Sequence, residues 1–187
     1  MDESTRSQSS SPTTSENEAE YRQARSRILN VIIAVCYLYF SGIGEKLSNP
    51  AVTTLVIYVA SFFAFTLAVF LHTRLRPGYY AVRRLLAMMG DFGSLTYVML
   101  LGQTLALPLY VFIVWVTLGN GMRFGSRYLI IASAMAQLSL LALYILGDFW
   151  RQQPYLMATF SMLALVLPAY AMTLLRQTAE ARDSALV

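Results

Sequence analysis

Six apolar runs follow one another along this chain, and arginines gather in every second gap between them. The runs extend over Ile28 to Ile43, Ala51 to Leu71, Val82 to Leu101, Leu105 to Leu118, Tyr128 to Leu146 and Tyr155 to Leu175. A helix needs about 20 predominantly apolar residues to cross a bilayer. The second, third, fifth and sixth runs have that length, and the first and fourth fall short of it. The first gains length if it begins earlier, with Arg27 snorkelling to the surface. Water offers no place for so much apolar surface: 57% of the 187 residues are hydrophobic and 13% are charged, against about a quarter charged in a soluble domain.

The placement of the cations sets the orientation. Thirteen of the fourteen are arginines. Counted from the N-terminal flank of the first run to the C-terminal tail, successive polar segments carry three, one, four, none, two, one and two cations. Short cytoplasmic segments accumulate Lys and Arg. With six crossings every cation-rich segment lands on one side and both termini are cytoplasmic; without the fourth crossing they land on both sides. The expected fold class is an all-α integral membrane protein, a bundle of about six transmembrane helices over residues 21–176.

Residues 1–20 are rich in Ser, Thr and Glu. They lack the apolar surface that offsets ordering entropy, and disorder is expected there. They also lack the early cations and apolar stretch of a signal peptide. Residues 177–187 carry the last helix into water. Leu174, Thr178, Ala181 and Ala185 recur at spacings of four, three and four, a short stripe of the kind that pairs signalling helices.

Several function classes drop out. No soluble basic stripe interleaved with aromatics is present, so nucleic acid is not an expected partner. His72 is the sole histidine and Cys36 the sole cysteine, too few to hold a metal, and no cofactor is expected. Catalysis needs converging polar groups, and only Asp91 lies well inside an apolar run. A transporter would favour inverted repeats, and residues 28–101 and 105–175 show none.

Asp91 is the residue most in need of an explanation, because a carboxylate at mid-span costs about 2.5–3.5 kcal/mol. It reads as functional, or as a hydrogen-bonding group that joins helices. If the third and fourth runs pack as a hairpin, Thr117 or Asn120 are its possible partners. Arg83 and Arg84 read as headgroup anchors, Trp115 as an interfacial aromatic, and His72 as an edge residue. Pro168 lies within the sixth run and kinks it or serves as a hinge.

The stretch WVTLGNGMRFGSRYL, Trp115 to Leu129, packs three glycines, Asn120, Arg123 and Arg127 between two apolar runs. It reads as the cytoplasmic corner between the fourth and fifth crossings. Asn120 would cap the next helix or take a left-handed turn conformation. Arg123 would anchor at headgroups or hold a carboxylate or phosphate. Gly121 and Gly125 have the spacing that lets helix backbones approach closely.

These residues resemble a known family. PLYVFIVWVTLGNGMRFGSRYL, together with RRLLAMMGDFG from Arg83 to Gly93, FWRQQPYL from Phe149 to Leu156 and VLPAY from Val166 to Tyr170, resembles the membrane input region of Rpf-type, RpfC-like hybrid sensor histidine kinases. The likeness covers about Arg83 to Leu175 and is weaker over residues 1–80. It implies a sensor domain that detects a diffusible cis-2-unsaturated fatty-acid signal used in quorum sensing. Such a domain sits in the bacterial inner membrane and passes its state through the last helix to a kinase core, a receiver or a signal-synthase partner, as a homodimer. Asp91, Trp115, Asn120, Gly121 and Arg123 become candidate ligand-binding or signalling residues. Lys46 and Arg151, cations on the outer side, become candidates for the fatty-acid carboxylate. The chain stops at Val187 before any kinase box, which leaves two expectations open. It is the input part of a kinase, or a stand-alone membrane relative acting as an interaction partner or small transporter.

Overall fold

Pro12 opens a helix that runs to Phe40 (α1), in a computed structural model that describes residues 12–42, 45, 48–75 and 81–184. A proline suits the first helical turn because its missing N–H has no partner there in any case. Residues 12–20, polar enough to suggest disorder, are helical, since extending an existing helix is far easier than nucleating one. Residues 1–11 lie outside the described residues. The other helices are α2 (Asn49–Leu75), α3 (Ala81–Gly102), α4 (Tyr110–Phe124), α5 (Ser126–Leu146), the four-residue α6 (Asp148–Arg151) and α7 (Pro154–Ser184). The described residues contain no strand. The protein is an all-α membrane protein.

Four helical stretches are long and apolar enough to cross a bilayer, and one of them, Ala81–Phe124, is 44 residues long. It comprises α3, a 3-10 segment (Gln103–Leu109) and α4. A straight helix would hold Arg84 and Phe124 about 60 Å apart, yet the Arg84 guanidinium lies 4.1 Å from the Phe124 ring centroid. The chain therefore doubles back, and α3 and α4 form the hairpin expected of two crossings. Gln103 takes a left-handed φ of 47° at the reversal, and Pro108 sits in the 3-10 turn that leads into α4. The fourth helix is displaced toward the C-terminus of the run Leu105 to Leu118, because the 3-10 segment that holds Pro108 spends the start of that run, to Leu109, on turning.

The corner after α4 is much tighter than the sequence suggests. Gly119, Asn120 and Gly121 are helical, and the turn is confined to Gly125, with φ 84°. That left-handed backbone favours glycine. The Gly125 N–H closes α4 on the Gly121 carbonyl, and the Leu129 N–H in α5 takes up the Gly125 carbonyl. Gly121 serves a different purpose from a turn: a Cβ there would stand 2.5 Å from Leu129 Cδ1.

The core lies among α3, α4, α5 and α7, where Met88, Met99, Ile113, Leu143 and Trp150 are buried. Interhelical hydrogen bonds suit a setting in which lipid is as apolar as Leu. Trp150 Nε1 donates to the Met99 carbonyl at 3.1 Å. Tyr110 stacks on Phe160, centroids 3.9 Å apart, and its hydroxyl donates to the Phe160 carbonyl. Gln137 Nε2 donates to the Ser161 carbonyl, and the Ser161 hydroxyl donates back to Gln137 Oε1. α2 packs its Phe65 on Gly90 of α3.

Candidate functional site

α1 reaches the α3–α4 hairpin through two polar bridges with a cleft between them. At one end Arg27 Nε donates to Asp91 Oδ1 at 2.6 Å and Nη2 to Oδ2 at 2.8 Å. At the other, the Tyr37 hydroxyl donates to the Leu105 carbonyl at 2.5 Å. The cleft is partly open and is walled by α1, α2, α3 and α4.

Its chemistry changes along its length. Ser26, Arg27, Asn30, Asp91, Asn120 and Arg123 supply a polar end. Val31, Leu38, Val59, Val98, Leu109 and Phe112 are among the residues of its apolar body. From Arg27 to Leu38 the wall measures about 16 Å at the rise of a helix. The polar end lies toward the side of the bundle that holds Arg84 and the Gly125 corner, as the Arg84–Phe124 contact fixes.

Arg27 does not snorkel. It is 5% exposed, and Asp91 is 8% exposed. Each makes the other tenable: an isolated charge at this depth would carry a large desolvation cost, and a bidentate guanidinium–carboxylate pair offsets it. This partner replaces the two suggested by the sequence. The Thr117 hydroxyl donates to the Ile113 carbonyl, and Asn120 Nδ2 donates to the Val116 carbonyl at 2.7 Å. Both turn back onto α4, as polar side chains inside a helix commonly do. Asn120 is accordingly neither a cap nor a left-handed turn residue.

Of the candidates from sequence, the cleft brings together Asp91, Trp115, Asn120 and Arg123. Trp115 is 55% exposed on the wall. Gly121 stands outside the cleft and acts through Leu129. Arg151 is far from it in function: it donates to the Ile145 carbonyl and pairs with Asp148, closing its own short loop. Lys46 lies outside the described residues. Arg84 is buried rather than set at the headgroups, with its guanidinium over Phe124 and 5.4 Å from the Tyr128 centroid. Exposed Arg83 lies 3.2 Å from His72 Nδ1.

Sequence reasoning missed Arg27 and Asn30 as site residues. A signal for Arg27 was available, since it is the last cation before the first apolar run and Asp91 is the one carboxylate within the third.

Two curated relatives, both the Sensory/regulatory protein RpfC, from two strains of Xanthomonas campestris pv. campestris, are 32% identical to the chain over 162 residues. This chain is related to RpfC. The match takes in 85% of the chain and 22% of each RpfC. The chain thus spans about a fifth of the length of the RpfC proteins it matches. No family model matches it, and no solved structure does.

Proposed function

We propose that this chain is the membrane-embedded sensory input of a two-component regulator of the RpfC type, located in a bacterial inner membrane with both termini cytoplasmic. It detects a diffusible cis-2-unsaturated fatty acid, a quorum-sensing signal, and passes the result through α7 to a histidine kinase core, with a receiver or a signal synthase as a further partner and a homodimer as the working unit. The observation that carries the reading is the Arg27–Asp91 pair. An ion pair buried at mid-helix among membrane spans is costly and marks a functional site by default, and this one forms the polar end of an amphipathic cleft.

Sensing needs two packings that the signal tells apart. α1 is suited to that task because its link to α3 across the cleft is a side-chain ion pair, so a change in that pair is a change in how the two helices sit. The test joins the chain to a kinase core and its transcriptional reporter in cells, with graded cis-2-unsaturated fatty acid. Output that follows dose in the native chain and loses its dose dependence in Asp91→Asn, at equal membrane abundance, supports the reading. A native chain whose output ignores the fatty acid at every dose overturns it.

A further inference from the structure

Asn30 stands on α1 three residues beyond Arg27, on the same side of the helix, and lines the same cleft. Its amide makes no hydrogen bond among the described residues, whereas Arg27 beside it is held at two points by Asp91. An amide inside an apolar run carries a desolvation cost when nothing answers it. Other polar side chains of the bundle are answered. Thr96 and Thr117 bond back to their own helices, and Gln137 bonds across to Ser161. Asn30 does neither, and it shares the cleft with Asp91, the one carboxylate among the lining residues.

The face of α1 that lines the cleft repeats with the turn of the helix: Arg27, Asn30 and Val31, Ala34, Leu38. A step of three residues toward the N-terminus of α1 is about 4.5 Å of rise with about 60° of rotation. It sets Asn30 where Arg27 stands and Ala34 where Val31 stands, polar on polar and apolar on apolar. Packed helices change register in such discrete steps, because intermediate positions clash.

We propose that α1 has two registers against α3, exchanged by this step. In the first, Asp91 accepts from Arg27 at 2.6 and 2.8 Å. In the second, Asp91 accepts from the Asn30 amide, and Arg27 moves outward until its guanidinium meets headgroups or water. The Tyr37 hydroxyl bond to the Leu105 carbonyl belongs to the first register, since the step carries Tyr37 away from it. The second register rests on the sensory reading for its role, as the signalled state, and not for its existence.

Three changes on one helix face then have different effects. Asn30→Ala removes the second partner and confines α1 to the first register. Tyr37→Phe removes a bond of the first register and moves the equilibrium about fivefold toward the second, the worth of one hydrogen bond. Exchanging the two residues, Arg27→Asn with Asn30→Arg, makes the ion pair available in the second register instead of the first.

The experiment reads the position of α1 directly. Cys36, the sole cysteine and exposed on α1, carries a nitroxide in the full chain in phosphatidylcholine nanodiscs. Its depth follows from relaxation by oxygen against relaxation by a nickel chelate. The exchange variant should displace the label by about 4.5 Å toward the N-terminal end of α1. Asn30→Arg should also restore the unfolding temperature that Arg27→Asn alone loses. An exchange variant as unstable as Arg27→Asn, or a stable one with its label at the native depth, overturns the two registers. A second measurement does not depend on that variant. With the chain joined to a kinase core and reporter, and graded cis-2-unsaturated fatty acid, Asn30→Ala should lose the dose dependence. Tyr37→Phe should move the unliganded output toward the saturated level. A native dose response in Asn30→Ala overturns the exchange of partners. A displaced label in the exchange variant, together with a native chain whose output ignores the fatty acid, upholds the two registers and overturns the sensory reading alone.

Discussion

Gly121 on α4 and Leu129 on α5 meet across the Gly125 corner so closely that a Cβ at residue 121 would stand 2.5 Å from Leu129 Cδ1 and 2.8 Å from Leu129 Cβ. The two helices approach here to a distance that only a missing side chain allows. Gly121→Ala therefore forces Leu129 or α5 to move. Overpacking of this kind costs about 1–3 kcal/mol, and each kcal/mol lowers the unfolding temperature of a chain of this size by about 2–4 °C. Thermal unfolding of the purified protein checks it. Adding Leu129→Ala to Gly121→Ala should recover part of the loss, because the second change removes the atoms that the first one strikes. Two losses that simply add would show that the contact is not the cause.

Removing one member of the Arg27–Asp91 pair leaves a buried charge uncompensated, which typically costs about 3–5 kcal/mol. Arg27→Leu should therefore destabilise the protein strongly in the absence of ligand. The double change Arg27→Leu with Asp91→Leu should be more stable than Arg27→Leu alone, since it removes both charges. Unfolding in detergent, followed by helical circular dichroism, gives the comparison. A double variant as unstable as the sum of its parts contradicts the pairing.

Arg123 lines the cleft, whereas Arg127 is exposed at the start of α5. Arg123→Gln should blunt a ligand-dependent reporter response by several-fold, and Arg127→Gln should leave it near native. Both substitutions remove one cation from the same side, so any shared effect on orientation cancels in the comparison. Equal responses from the two variants would reduce Arg123 to an anchor.

Trp150 is fully buried and its indole N–H donates to the Met99 carbonyl. Trp150→Phe keeps most of the apolar volume and removes the donor. The expected cost is about 0.5–1.5 kcal/mol for the bond, with a further loss from the smaller ring. Trp150→Ala should cost about 3–5 kcal/mol, and the ratio of the two unfolding shifts is the measurement.

Topology can be probed with single cysteines introduced after Cys36→Ala. With both termini cytoplasmic, cysteines at residues 5 and 185 should resist a membrane-impermeant maleimide in intact cells and react after lysis. Reaction of either in intact cells reverses the orientation.

The helical, membrane-spanning character was readable because a bilayer demands long apolar runs, and Ala51 to Leu71, Tyr128 to Leu146 and Tyr155 to Leu175 announce themselves by length alone. The α3–α4 hairpin was readable from the alternation of cations, which required a crossing that its own short run did not prove. The Gly119 to Gly121 stretch was misread as turn because glycine and Asn are turn formers in water, whereas in this bundle close packing against Leu129 and a back-bond from Asn120 to Val116 use the same residues inside a helix. Asp91 was visible as an anomaly, but its partner was not. Arg27 lies 64 positions away in sequence, and no local pattern encodes which of the clustered arginines folds inward. The two cations chosen for the outer side were picked by address rather than by geometry. Arg151 is engaged with Ile145 and Asp148, which address alone does not reveal.

α7 is gripped at Phe160 and Ser161, by Tyr110 on one side and Gln137 on the other, and beyond Pro168 its residues Ala169, Tyr170, Thr173 and Leu174 are exposed. Ala164 and Pro168 are buried as well, so the rod is held as far as Pro168 and released beyond it, which makes its end a lever. From Pro168 to Ser184 that arm is about 24 Å long at the helical rise, so a tilt of about 5° at Pro168 sweeps the far end through about 2 Å. A rearrangement in the bundle too small to disturb the core thus arrives at the C-terminal end of the helix as a displacement larger than a bond length.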